Sequence, residues 1–226
     1  FFAGLFIFFT FFYNCHLHFE EATQLFLLTG DYFVAKMGLP GGFSGWLGEF
    51  LTQFFIISLA GPLIITILLF GMQKVTLRIF STINANRSFS PLSFLIPLNA
   101  ALIICDEFYP LSAVIGVLIS LIAAWIYTTI PHNNRRFIAG LLLISLTYCL
   151  AGGSYLSLLA IIIVFEILSA YRARKNASRE KINDLQGFRM VKVWQLFIYV
   201  VISAGIPLLA RQYLVQEPAG LAYLSE

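Results

Sequence analysis

CHLHFEEATQLFLLTGDYFVAKMGLPGGFSGWLGEF, residues 15–50, stands between two strongly apolar segments and gathers acidic, aromatic and turn-forming residues in a chain otherwise poor in charge. Its flanks are apolar enough to enter a bilayer and it is not, so it reads as an outside loop held to a membrane at both ends. The composition agrees. Of 226 residues 59% are apolar and 11% charged, and the mean hydropathy is +0.86. That leaves too little polar surface to cover a water-soluble globule of this size. The expected fold is all-α: a polytopic transmembrane helical bundle forming a single domain over 1–226.

Inside the quoted stretch, residues 20–28 carry Thr23, Phe26 and Leu27 at helical spacing with Phe19 just before them, and Thr29-Gly30 ends the run. Asp31 is placed to cap a second short helix over 32–37, and Leu39-Pro40-Gly41-Gly42 breaks the chain before Ser44 starts toward the next span. Both pieces are amphipathic. They are expected to lie in the interface plane of the 14–50 loop, with Phe26, Tyr32, Phe33 and Trp46 at headgroup depth.

A span needs about 20 mostly apolar residues, and seven candidate segments occur, at 1–14, 53–73, 91–105, 111–130, 137–151, 155–171 and 193–214. The third and fifth are short, and each is joined to its successor by a few residues, so those pairs read as tight helical hairpins. Gly61-Pro62 predicts a kink in the second segment. Pro97 and Asn99, in the third, should face protein rather than lipid. Of the 14 Lys and Arg, all but Lys36 and Arg211 fall on one side of this arrangement, with a concentration in the basic loop 172–192. Basic residues mark the cytoplasmic side, so the N-terminus is expected inside and the C-terminus outside. The basic loop reads as an anchor that also touches anionic headgroups. The net charge of +3 therefore carries no expectation of nucleic-acid binding. The chain begins without Met and stops without a closing feature, which reads as a fragment of a longer protein.

The candidate chemistry lies mainly outside. Glu20 and Glu21, with His18, sit where the first span should emerge. Carboxylates beside an apolar wall can serve as general base or hold a divalent cation. They can equally be a solvated start to an interfacial helix. On a helix His18 and Glu21 share a face, with Glu20 about a quarter-turn away. Asp106 and Glu107 form a second acidic pair in a hairpin too short to leave the interface. Arg211 is the lone outside Arg, suited to a salt bridge or to a phosphate group. Glu166 is the acidic residue well inside a span, open to proton or ion movement or, by leaning toward Tyr171 and Arg172, to a structural role. His16, His18 and His132 make no evident haem site. Cys15, Cys105 and Cys149 have no metal-like spacing and suggest no disulfide framework, although Cys15 and Cys105 fall near one membrane face.

Glu20-Glu21, two interfacial helices, Pro40-Gly41-Gly42 and a second span with Gly61-Pro62 together resemble the start of the polytopic glycosyltransferases of the C-type fold. The resemblance implies a seven-span module, a lipid-phosphate-linked sugar donor, Glu20 or Glu21 as the first-loop acid and Asp106-Glu107 as the second-loop acids. This chain has Glu-Glu where the commonest type has Asp-Asp or Asp-Glu, and its later outside loops are nearly absent. The same loop is similar to an uncharacterised bacterial multi-pass family that continues into a helical-repeat soluble domain, best over the first third.

On this resemblance the expected function is a membrane glycosyltransferase-like module at the outer face of a bacterial inner membrane. Glu20 or Glu21 would be general base, aided by Asp106 or Glu107, with or without a divalent cation. Arg211 would hold the donor phosphate, with His18 nearby, and Tyr32, Phe33 and Trp46 would line the sugar or lipid path. The alternatives are a non-catalytic subunit that meets other membrane subunits, and a transporter or proton-coupled protein built on Glu166 and the broken spans.

Overall fold

The computed structural model describes residues 1–83, 87–106, 110–131, 133–177 and 184–213. Every regular element among them is helical. In chain order these are α1 (Phe2–Phe11), α2 (Asn14–Thr23), α3 (Gly30–Met37), α4 (Gly42–Thr52), α5 (Ala60–Thr82), α6 (Leu95–Ile104), α7 (Leu111–Thr129), α8 (Asn133–Ala151), α9 (Tyr155–Ala177) and α10 (Asp184–Tyr213), with short 3-10 turns at Gln53–Ile56, Arg87–Phe94 and Gly152–Ser154.

Apolar composition makes the long helices, and a helix apolar on nearly all sides must be buried or face lipid. Helix α7 takes the first course. Val114, Ile115, Leu121, Ala124 and Tyr127 on it are all buried, and α4, α5, α8 and α9 pack around it. The outer helices leave apolar side chains bare. Phe11, Phe12, Ile67, Leu102, Leu142 and Phe197 are at least half exposed, more bare hydrocarbon than a water-facing surface tolerates. Three helical stretches are long and apolar enough to cross a membrane, Ala60–Thr82, Leu111–Thr129 and Arg135–Tyr171, and a fourth if the pair Phe2–Phe11 and Asn14–Ala22, bent by 68°, counts as one. The fold is compatible with a membrane protein.

The 37-residue stretch Arg135–Tyr171 is two limbs, not one rod. Arg136 and Glu166 would lie about 45 Å apart on a straight helix. Their side chains meet at 3.7 Å, so α8 and α9 run antiparallel about the turn Gly152–Ser154. Gly152 supplies a positive φ of 52° there, and Ser120 of α7 donates to the Ser154 carbonyl at 2.8 Å.

Several local expectations are corrected. The first interfacial helix runs from Asn14 to Thr23 rather than over 20–28. The chain then extends from Gln24, because Phe26 leaves the helix axis to pack against Tyr32, Trp46 and Phe50. Thr29, not Asp31, caps α3, its hydroxyl accepting from the Tyr32 amide at 3.4 Å, while Asp31 sits in the first turn. Residues 44–52 belong to a separate α4, and the second long helix starts only at Ala60. Pro62 therefore lies in the first turn of α5, where its missing N–H costs no intrahelical bond, and makes no mid-helix kink. The same helix runs on to Thr82, and α9 and α10 extend to Ala177 and back to Asp184, so much of the basic loop 172–192 is helical. In α6, Pro97 is buried as expected, but Asn99 is exposed, since Ala100, Ala101 and Ile104 fill the side that meets α5 and α7.

Candidate functional site

Helix α2 is inside-out for a helix at an apolar boundary. Leu17, fully buried, marks its inward face and packs toward Gly61 and Phe55. Because side chains step round a helix by about 100° per residue, Asn14, Glu20 and Glu21 lie within about 60° of Leu17. Glu20 is only 9% exposed, whereas Phe19, on the outward side, is 58% exposed. The helix thus turns the Glu20 carboxyl toward the protein and a phenyl ring away from it.

Burial raises the Glu20 carboxyl from an ordinary 4.5 to about 7. One turn earlier, His16 Nε2 stands 3.5 Å from Glu20 Oε1, in ion-pair range though not aligned as a hydrogen bond. The Tyr13 ring lies against His16 with centroids 4.5 Å apart, and its hydroxyl donates to the Cys105 carbonyl at 2.6 Å. That carbonyl immediately precedes Asp106. A continuous run of contacts therefore links the buried acid of α2 to the end of α6. Four buried polar atoms round this helix, Asn14 Oδ1, His16 Nε2, Gln24 Oε1 and Gln53 Nε2, make no hydrogen bond among the described residues. Gln53 begins the 3-10 turn that packs on α2. Unpaired buried donors and acceptors are costly and are normally met by water or a polar ligand.

The two glutamates are thus unequal. Glu20 is buried and paired with His16, while Glu21 and His18 are half-buried. The pairing at i,i+4 is the signal that a reading centred on His18 and Glu21 passes over. Asp106 is exposed, its amide donating to the Ile103 carbonyl at 2.9 Å. Glu107 lies outside the described residues. Arg211 falls in the last turn of α10, and its side chain is outside the described part. Among the described residues no group of three or more His, Cys, Asp or Glu is arranged to hold a metal ion, and all three cysteines are free.

Tyr32, Phe33 and Trp46 come together elsewhere, between α3 and α4. The Trp46 ring lies parallel to Phe50 at 5.5 Å and meets Phe33 edge-on at 5.2 Å, with Phe26 at 5.9 Å. Protein rings surround it, which favours packing at the interface over contact with a sugar. Glu49 joins the two helices: it accepts from Tyr32 Oη at 2.5 Å and from Lys36 Nζ at 2.6 Å. Burial and the neighbouring Glu49 both raise the Tyr32 phenol. For Lys36 burial works downward, but the Glu49 contact outweighs it and leaves the ammonium above its usual value.

A third polar cluster sits within the bundle, where α7, α8, α9 and α10 meet. Glu166, 5% exposed, accepts from Tyr127 Oη at 2.9 Å and from Ser169 Oγ at 3.4 Å, with Arg136 Nη1 at 3.7 Å. Arg136 also donates to the Ile130 carbonyl at 2.7 Å and lies over the Phe165 ring. Tyr199 reaches the group from α10, donating to the Phe137 carbonyl at 3.2 Å. Gly140 makes the room, since a Cβ there would collide with the hydroxyl of Tyr199 and the ring of Tyr127. Glu166 meets Arg136, Tyr171 is exposed, and the Arg172 side chain lies outside the described residues. The geometry is that of a satisfied clamp between four helices.

No curated protein and no solved structure matches the chain. A family model does match, over residues 1–220, and the chain belongs to the family of unknown function that it describes, DUF6057.

Proposed function

We propose that this chain is the membrane module of a glycosyltransferase-like enzyme that takes a sugar from a lipid-phosphate-linked donor at the outer face of a bacterial inner membrane. In this reading the seven apolar segments all cross or enter the bilayer, with the N-terminus inside and α2, α3 and α4 at the outer interface. The observation that carries it is Glu20: a carboxyl near pKa 7, buried on the inward face of an interfacial helix, beside His16 and among polar atoms without partners.

Such a group is suited to general-base work because both of its protonation states are well populated near neutrality. Glu20 accepts the proton of an acceptor hydroxyl as that oxygen bonds to the anomeric carbon of the sugar. The bond from that carbon to the lipid phosphate breaks, and its electron pair leaves with the phosphate. His16 holds the carboxylate and Asp106, at the end of α6, assists, while Glu107 as a second-loop acid and Arg211 as the phosphate-binding residue are roles taken from the resemblance alone. The satisfied Glu166 clamp gives proton-coupled transport less support.

The test is transfer of radiolabelled sugar from a panel of undecaprenyl-phosphate-linked hexoses to lipid or polyol acceptors, by the full-length protein in liposomes. Wild type should turn over, and Glu20→Gln should lose about 10²-fold or more, with Glu21→Gln nearer to wild type. Equal rates for Glu20→Gln and wild type sink the base assignment. No turnover with any donor moves the protein to the alternative of a non-catalytic membrane subunit.

A further inference from the structure

Helix α10 contains Pro207, which has no amide hydrogen, so the bond that the Ser203 carbonyl would accept from residue 207 cannot form. A gap of this kind is a usual cause of bending in a helix. Here another helix fills it. Tyr155, the first residue of α9, donates its hydroxyl to the Ser203 carbonyl at 3.1 Å, and both residues are buried. The Tyr155 ring meets Tyr148 of α8 edge-on at 5.4 Å. Between Ser203 and Pro207 lies Gly205, where a Cβ would meet nothing within 4 Å, so close packing does not demand glycine there. A glycine at an open helical position leaves the backbone freer than alanine would. The stretch Ser203–Pro207 thus lacks one backbone bond, carries a permissive residue and is tied across by a hydroxyl from another helix.

We propose that Ser203–Pro207 is a hinge in α10 and that the Tyr155 hydroxyl is its latch. Closed, the hydroxyl stands in for the missing amide, and the turn beyond Pro207, with Arg211 on it, continues the helix. Open, that turn swings about Gly205 and the Ser203 carbonyl passes to water. The latch stands where the 14–50 loop meets the bundle. Tyr155 follows the turn Gly152–Ser154, and the Gly41 amide, at the start of α4, donates to the Cys149 carbonyl in the last turn of α8. A Cβ on Gly41 would come within 2.9 Å of the Gly152 amide nitrogen. A shift of α4 therefore reaches the backbone that carries Tyr155, which makes the latch a route from that loop to the end of α10. The inference is independent of the chemistry at Glu20.

Amide hydrogen exchange of the full chain in nanodiscs, read by mass spectrometry, measures the opening. Tyr155→Phe keeps the ring and should speed exchange over residues 204–213 about fivefold to a hundredfold, because it leaves a buried carbonyl unpaired. Exchange over 193–200, before the hinge, should not change. Pro207→Ala restores a backbone donor for Ser203, and in that background Tyr155→Phe should alter the rate by less than about threefold. A second measurement sees the swing. In a cysteine-free background, with Cys15, Cys105 and Cys149 replaced by alanine, spin labels at Leu142→Cys and Leu208→Cys, both exposed, should give one narrow distance in the parent and a second distance in Tyr155→Phe. Labels at Leu142→Cys and Phe197→Cys, before the hinge, should give the same distance in both. Exchange over 204–213 unaltered by Tyr155→Phe overturns the proposal. So does equal acceleration over 193–200, an effect of Tyr155→Phe that persists with Pro207→Ala, or a 142–208 distance common to both proteins.

Discussion

Glu20 loses most of its contact with solvent when α2 packs inward, and its carboxyl moves from 4.5 to about 7 for that reason. Between those values the folded chain holds a proton that the unfolded chain has released. Stability contributed by this group is therefore complete below about pH 4.5 and is lost as pH rises toward 7, by at most about 3 kcal/mol. Thermal unfolding in detergent at about pH 5 and about pH 8 should show that fall in wild type and a smaller one in Glu20→Gln. His16 at 3.5 Å, when protonated, would partly offset the burial cost of the carboxylate. Parallel curves for the two proteins would mean that Glu20 is solvated. In the sequence Glu20 and Glu21 stand as equals, and the acidic pair was legible as a place of interest but not which of the two turns inward. That choice is made by the 68° bend between α1 and α2 and by the Tyr13–Cys105 bond, a contact 92 residues apart along the chain.

At the scale of elements, α4 is held by how closely its backbone approaches its neighbours. A Cβ on Gly48 would stand 2.7 Å from the backbone of Ser112 at the start of α7, whereas one on Gly45 would meet nothing within 4 Å. Both glycines are in the same helix, so the pair separates packing from propensity. Gly48→Ala should destabilise by about 1–3 kcal/mol through overpacking. Gly45→Ala should stabilise by about 0.5–1 kcal/mol, because alanine forms helix more readily. Unfolding of both variants in detergent measures the difference, and like shifts would mean that the α4–α7 contact is looser than this. Here the sequence informs unevenly. Pro40-Gly41-Gly42 marks its break correctly, with Gly41 at φ 75° and its amide bonded to the Cys149 carbonyl at 3.1 Å. The end of α2 at Thr23 is invisible to periodicity, because Phe26 is pulled away by rings on α3 and α4 rather than by anything local. The Glu166 clamp was half legible for the same reason: an acid inside an apolar run shows in the sequence, while Arg136, Tyr127 and Tyr199 reach it from three other helices.

For the whole molecule, the alternation of basic and acidic ends predicts which loops share a side, and the fold can be tested against it. The antiparallel α8–α9 limbs set Arg136 at one end and the Gly152–Ser154 turn at the other, and α4 packs against that turn end through Gly41. The acidic loop and the hairpin turn therefore lie together, away from Arg136, as a positive-inside arrangement requires. Apolar length alone supports fewer crossings than charge alternation does, because a helix of ten residues such as α6 is too short to cross a bilayer by itself. Labelling decides between the two. In the cysteine-free background, Asp31→Cys on α3 and Ser81→Cys near the end of α5 are both exposed positions well apart along the chain. A membrane-impermeant maleimide should modify position 31 in intact spheroplasts and position 81 only after permeabilisation. Modification of both before permeabilisation would mean that α5 does not cross, and the reverse pattern would invert the molecule and put Glu20 on the cytoplasmic face.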